Sequence, residues 1–329
     1  MSKMFTDLKR HGLNGPTMGT RWSAIFYAAA DFDIASLRRA LQQAVDEVDM
    51  QMSTWKPDSD LMRLNRAPVG VWIEVPARLM EVLRLAIEIG WATGGAFDAA
   101  MGDAVKAWGF GPMEADQNLI SEALAGPRVA AHDALELDIS AMRVRKRAAV
   151  TLDLNGIAKG YGVDRLADTL ESFGIHSGLV GIDGEMRALE LRPDGTPWAI
   201  AVEMPDYNRR APHSVLALHN GAVATSGDYR HWVVAGGHRL SHTMDPHRGA
   251  PLSTPPASVT VVAKTCAQAD AFATALMVLG PVAGSKLAQS LGLDVLFLLR
   301  DGETIRPQPV GALFSGHPYP PQKNRIAAK

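Results

Sequence analysis

The chain has one cysteine, Cys266, in 329 residues, so no disulfide can close within it and its fold does not depend on an oxidising compartment. It also lacks an excess of either charge. Lys and Arg number 33 against 35 Asp and Glu, a formal net charge of −2, and without a concentrated basic excess a nucleic-acid partner is not expected. No run reaches the ~20 apolar residues of a membrane-spanning helix. Met1 to Asn14 is short and polar, carrying Asp7, Lys9, Arg10 and His11, and lacks the apolar stretch of about 7–15 residues that marks a secretory signal. As written, the chain is expected in the cytoplasm, with a periplasmic location the alternative if a signal has been removed. No internal repeat is visible.

What is present suits a sizeable folded core: 47% of residues are hydrophobic and 21% charged. Helical spacing runs through Ile34, Leu37, Leu41, Val45, Val48 and Met52, then through Leu79, Val82, Leu83, Ala86 and Ile87 after Pro76, with Gly94-Gly95 as the stop. Lys159 to Phe173, Ala267 to Leu279 and Pro281 to Leu291 read as further helices. Strands are expected at 21–29, 71–75, 179–182, 198–203, 215–219, 232–234, 259–263 and 295–299. Strands clustered between groups of helices, without a βαβ rhythm, predict an α+β fold with mixed or antiparallel sheets flanked by helices. One domain is expected over 15–312, as a single body or two lobes, with flexible termini at 1–14 and 315–329.

The run Ala269-Asp270-Ala271-Phe272-Ala273-Thr274 sets a carboxylate and a hydroxyl four residues apart on one helix face. Two hard oxygens suit Mg²⁺, which keeps several waters and completes its shell with substrate phosphates. A surface Asp and a back-bonding Thr would give the same letters. Upstream, Asn155-Gly156 and Gly160 allow tight backbone around Lys159, whose ammonium suits a pyrophosphate, although a turn with a solvated Lys reads the same way. His242 is the candidate proton acceptor, because an unperturbed imidazole titrates near neutral pH. A structural histidine at a strand end is the competing reading.

These pieces stand in company. The chain carries Thr17-Met18-Gly19-Thr20, Met52-Ser53-Thr54-Trp55, Ser59-Asp60-Leu61 and Leu64-Asn65, then Gly94-Gly95-Ala96-Phe97-Asp98 and Trp108-Gly109-Phe110-Gly111. Asp153-Leu154-Asn155-Gly156-Ile157-Ala158-Lys159-Gly160-Tyr161 follows, with Asp164, Thr225-Ser226-Gly227-Asp228-Tyr229 and His242-Thr243-Met244-Asp245-Pro246. In this order and spacing, from about Met18 to Gly280, the set resembles the ApbE family of FAD-dependent FMN transferases.

The resemblance implies a T-fold-like, two-lobed architecture. It implies that Ala96, Phe97 and Asp98 contact FAD, that Met18 and Trp55 hold its rings, and that Asp153 and Lys159 bind the ligand. It gives the Gly156 carbonyl to the metal along with Asp270 and Thr274, and a flavin contact to the Thr243 backbone. Asp245 would orient the His242 imidazole, Asp164 would brace its loop, and Trp108 reads as core. Trp55 stands where relatives carry Tyr, Asn155 where they carry Gly or Ser, Thr243 where Ile is common, and His247-Arg248-Gly249 omits a usual Thr.

The implied activity is Mg²⁺-dependent transfer of FMN from FAD to a Ser or Thr hydroxyl of an acceptor flavoprotein, releasing AMP. The alternatives are a pyrophosphatase giving FMN and AMP, and a flavin-binding carrier without turnover.

Overall fold

The computed structural model describes residues 8–207, 209–229, 232–235, 238–302 and 304–315. Strands β1 (Lys9–Thr17) and β2 (Thr20–Ala28) open the chain as a hairpin. Its two-residue turn, Met18-Gly19, has φ of +44° and +71°, the left-handed pair that matches strand twist. Residues 9–14 are therefore not a flexible terminus. Lys9 to Asn14 pair with Ala28 to Ser23, and His11 stacks on Phe26 at 5.4 Å between ring centroids. The segment is polar because it is an edge strand, with His11, Leu13 and Gly15 as its inward positions. Of the expected flexible termini, residues 1–7 and 316–329 lie outside the described residues.

Helix α1 (Ile34–Met52) is capped by Asp33, which accepts from the Ser36 N–H at 3.0 Å. It buries Leu37, Leu41, Val45 and Val48. Next come α2 (Asp60–Arg66), capped by Ser59, then β3 (Ile73–Glu74), α3 (Ala77–Ala92), α4 (Gly102–Ala107), α5 (Gln117–Leu124) and α6 (Ala131–Ala134). They are followed by β4 (Leu135–Asp138), β5 (Arg143–Lys146), α7 (Ala158–Ser172), β6 (Gly178–Ile182), β7 (Glu185–Ala188), β8 (Trp198–Glu203), β9 (Pro212–Leu218) and β10 (Gly221–Gly227). The chain closes with β11 (Trp232–Ala235), β12 (His238–Ser241), β13 (Met244–Asp245), β14 (Ala250–Pro251), β15 (Ser258–Ala263), α8 (Cys266–Leu291), β16 (Asp294–Asp301) and β17 (Thr304–Val310).

Among the described residues the main sheet has eight strands in the order β1-β2-β6-β7-β10-β15-β16-β17, with every neighbouring pair antiparallel. This is the α+β architecture read from the sequence. One face packs on α1 and α7 through Trp22, Phe26, Leu41, Val163 and Leu170. The β8–β9 hairpin covers the other through Trp198, Ile200, Leu216 and Leu218 against Leu179 and Leu298. With both faces covered, β6 is buried along its whole length. A second core gathers Leu61, Leu64, Leu79, Leu83, Val144, Leu152 and Ile157 against Ala267, Ala271 and Ala275 of α8.

Helix α8 has the length and composition of a bilayer-spanning helix, which the sequence reading did not count. Here it is a core helix. It breaks at Gly280 (φ +69°, ψ 179°) before Pro281, as the two separate helices expected there require, and its first half contributes to two hydrophobic clusters.

Candidate functional site

The loop into α7 is held from behind. Asn65 donates from Nδ2 to the Leu152 carbonyl (2.9 Å) and accepts the Leu152 N–H on Oδ1 (2.7 Å), imitating a strand partner. Lys146 donates to the Asn65 carbonyl at 2.7 Å. Asp153, next in line, donates its N–H to Ala99 (2.8 Å) and accepts the Asn155 N–H (2.8 Å). Burial raises its carboxyl to about 6, against the lowering effect of the Asn155 amide.

Helix α8 meets this loop at glycines. The Gly160 N–H donates to Asp270 Oδ2 at 3.0 Å, and a Cβ on Gly160 would collide with the Cys266 carbonyl. One turn along, a Cβ on Gly156 would lie 3.1 Å from Thr274 Oγ1 and 3.3 Å from the Phe97 ring. Ser226 Oγ lies 3.3 Å from Thr274 Oγ1. Gly156, Lys159, Asp270 and Thr274 thus converge with Phe97 at the starts of α7 and α8. Ser226 joins them from β10, a position the sequence reading placed only inside a motif.

The electrostatics are dominated by burial. Asp270 is 6% exposed, and burial with the nearby Asp164 charge raises its carboxyl to about 6, while the Gly160 amide and Lys159 pull the other way. Lys159 Nζ pairs with Asp183 Oδ2 at 2.6 Å. Burial opposes the Lys159 charge, but Glu185, Asp183 and Asp270 outweigh it and raise the ammonium pKa. Glu185 is 8% exposed and its Oε2 has no hydrogen-bond partner. Burial, with the Asp270 charge, raises it to about 8.

Asp183 and Glu185 were missed from the sequence. The Asp183-Gly184 dipeptide between two short apolar runs is a hairpin signal that would have placed both at a β-turn, though not beside Lys159.

The α3 stop supplies the aromatic wall. Thr93 Oγ1 accepts the Phe97 N–H at 3.1 Å, and Ala96 and Phe97 are each 3% exposed. Asp98 is committed locally: Oδ1 accepts the N–H groups of Ala100 (2.8 Å) and Ala131 (2.9 Å), and burial raises its carboxyl. Met18, in the β1–β2 turn, reaches within 3.1 Å of where a Gly162 Cβ would sit, so it lies over α7. Trp55, on the connection between α1 and α2, is 61% exposed.

His242 lies between β12 and β13 with its ring edge-on to Phe110, 6.5 Å between centroids. Trp108, expected as core, donates from Nε1 to the Gly249 carbonyl (3.0 Å) and tethers the β13–β14 hairpin. The Thr243 carbonyl accepts the Leu252 N–H at 3.0 Å, so this backbone is engaged in the hairpin. Asp245 Oδ1 accepts the N–H groups of His247 (2.9 Å) and Arg248 (3.3 Å), which shapes the turn after His242. A Cβ on Gly95 would lie 3.9 Å from His247 Cε1, which brings this turn against the segment that carries Phe97.

Two acids serve other ends. Asp164 braces α8 rather than its own loop, accepting the Cys266 (2.8 Å) and Ala267 (2.9 Å) N–H groups and pairing with Arg187 (2.9 Å). Asp228 is held by Arg300 at 2.7 Å.

Among the described residues no cluster of three or more His, Cys, Asp or Glu side chains could cage a metal. The donors brought together are the Asp270 carboxylate, the Thr274 and Ser226 hydroxyls and the Gly156 backbone. Such a sparse, hard-oxygen set fits Mg²⁺ shared with substrate phosphates. A cleft of about 620 Å³, lined by Tyr27, Phe32, His176 and Arg192, opens at the far end of β2 and includes none of these residues.

An antiparallel α+β scaffold with one lysine and oxygen donors at paired helix starts is an arrangement suited to an enzyme that handles a phosphorylated substrate. The chain belongs to the ApbE family, whose profile matches residues 18–297. It is 36% identical over 290 residues to a FAD:protein FMN transferase of Vibrio cholerae, covering 88% of this chain and 87% of that one. Its identity to the Escherichia coli K12 FAD:protein FMN transferase is 32% over 300 residues, 89% of this chain and 85% of the other. Among solved structures, the flavin transferase ApbE of V. cholerae superposes with a TM-score of 0.80 at 32% identity, covering 92% of this chain and 97% of that one. The apo flavinyl transferase ApbE of Pseudomonas stutzeri gives 0.80 at 34%, covering 94% and 96%.

Proposed function

We propose that this chain transfers FMN from FAD to a Ser or Thr hydroxyl of an acceptor flavoprotein and releases AMP. The observation that carries the reading is the convergence of Gly156, Lys159, Asp270 and Thr274 with Phe97 at one pair of helix starts.

Lys159 places a positive charge where the FAD pyrophosphate would lie, and in a partly buried site that charge acts at reduced dielectric. Asp270, Thr274 and the Gly156 backbone would hold Mg²⁺, which when bound supplies further positive charge to the pyrophosphate oxygens. Half-buried Met18 offers apolar surface to the rings, the exposed Trp55 indole is available to cover them, and the buried Phe97 backs the loop at Gly156.

His242, only half-buried, is accessible to a protein substrate. Its imidazole accepts the proton of the acceptor hydroxyl. That oxygen then bonds to the FMN-side phosphorus while the bridging P–O bond breaks and AMP departs. Water in the acceptor's place would yield FMN and AMP.

The test is incubation with FAD and Mg²⁺, with and without a flavin-acceptor domain, followed by nucleotide chromatography and in-gel flavin fluorescence. Transfer predicts a fluorescent acceptor band and matching AMP. FMN and AMP without a labelled acceptor would replace the transferase reading with a hydrolase. Binding of FAD without any product would leave a carrier.

A further inference from the structure

We propose that Asp183 sets the affinity of the site for its phosphorylated donor by competing for the Lys159 ammonium, an inference that rests on the FAD reading above. Asp183 opens the two-residue turn between β6 and β7, where Ile182 pairs with Glu185. Its φ is +53° and that of Gly184 is +112°. Such a turn accepts Asn, Gly or Asp at its first position, so the backbone does not demand a carboxylate there. What Asp adds is a negative oxygen 2.6 Å from Lys159 Nζ.

That oxygen is surplus to the needs of the lysine. Buried Asp270 already supports the Lys159 charge from inside the protein, and buried Glu185, its carboxyl raised to about 8, lies beside it. Both are fixed: Asp270 by the Gly160 amide, Glu185 by its place at the start of β7. Asp183 differs, because its side chain keeps 35% of its exposure and can turn into water at little cost. A pyrophosphate approaching Lys159 meets three carboxyl groups around one cation, and Asp183 is the one able to yield. Donor binding then exchanges one anion for another on the same ammonium. The gain is reduced by the worth of the pair that is broken, about two- to fivefold for a partly exposed ion pair. Ligands without phosphate do not engage Lys159 and escape this cost.

Calorimetry with FAD, ADP and riboflavin, Mg²⁺ present throughout, on the wild type, Asp183→Asn, Asp183→Gly, Lys159→Met and the Asp183→Asn/Lys159→Met double variant tests this. Asn and Gly both suit the positive φ, so either variant can report if the other is poorly folded. Expected is two- to fivefold tighter FAD and ADP binding in the Asp183 variants, with riboflavin unchanged and the gain abolished when Lys159 is Met. Equal or weaker FAD binding overturns the inference and makes Asp183 a holder of Lys159. A gain that persists without Lys159 overturns it too, because the effect would then be general charge relief. If wild-type protein binds no FAD, the donor assignment itself fails, and that result shows in the wild type alone.

Discussion

Replacing Gly160 with Ala sets two effects of known size against each other at the centre of the site. Gly160 lies in the first turn of α7, where Ala would gain about 0.5–1 kcal/mol of helix propensity. The added methyl, however, would sit 2.7 Å from the Cys266 carbonyl carbon and 2.8 Å from Asp270 Cβ. Neither atom can swing aside, so α7 and α8 must part locally, at an overpacking cost of about 1–3 kcal/mol. Separation also strains the 3.0 Å hydrogen bond from the Gly160 N–H to Asp270, the kind of charge-assisted bond worth about 1.5–3 kcal/mol.

The losses win. Net destabilisation of about 2–5 kcal/mol is expected in urea unfolding. Displacing Asp270 by about 1 Å should also lower AMP release on the order of 10²-fold even where the protein stays folded. A Gly160→Ala protein as stable as the wild type, with undiminished turnover, would show that the α7–α8 contact does not set the site's geometry.

Three further outcomes are expected. Asp270→Ala should nearly abolish metal-dependent AMP release while circular dichroism stays native, and unchanged wild-type turnover in EDTA would sink the metal assignment. His242→Asn keeps a polar side chain but no titratable base, so covalent transfer should fall about 10²–10⁴-fold with FAD affinity little altered; wild-type transfer by the variant would place the base elsewhere. Stability of the unliganded protein should fall as pH rises, because Asp153 (about 6) and Glu185 (about 8) hold protons in the fold that an unfolded chain has already lost. Their contribution is fully present below the ordinary carboxylate range and lost on rising through those values, so Glu185→Gln should flatten the upper part of a urea-midpoint profile; an unchanged slope contradicts the burial argument.

Much of the architecture was legible because burial wrote it in period. The 3.6-residue spacing of α1 and α3 and the apolar runs at β6 and β15 follow directly from what packs against them. The β1 strand was not legible, since its outward positions are Arg10, Gly12, Asn14 and Pro16 and only the register with β2 makes it a strand. Strands β10 and β17 were hidden for related reasons: one ends in the polar Thr225-Ser226-Gly227, and the other carries Pro307 and Pro309 on a sheet edge. At the site, glycine and acid positions carried the signal. Asp183 and Glu185 could not be weighed from the sequence, because their effect on Lys159 depends on a turn that brings β6 and β7 over α7.

The placement of the pocket explains which of its residues can be changed separately. Asp164, Gly160 and Asp270 join α7 to α8, and α8 is shared between the two cores. Substitutions there disturb the packing that joins the two cores, so stability and turnover should fall together. Lys159 and Asp183 pair at the start of α7, and His242 lies apart between β12 and β13; all three side chains are partly exposed to solvent. Their removal leaves the helix contacts in place. A set of variants should therefore divide in two: changes at the helix junction that lower the unfolding midpoint along with activity, and changes at the rim that alter affinity or transfer at constant stability. A rim variant that unfolds as readily as Gly160→Ala would mean that the pocket's charges, and not its glycines, hold the two helices together.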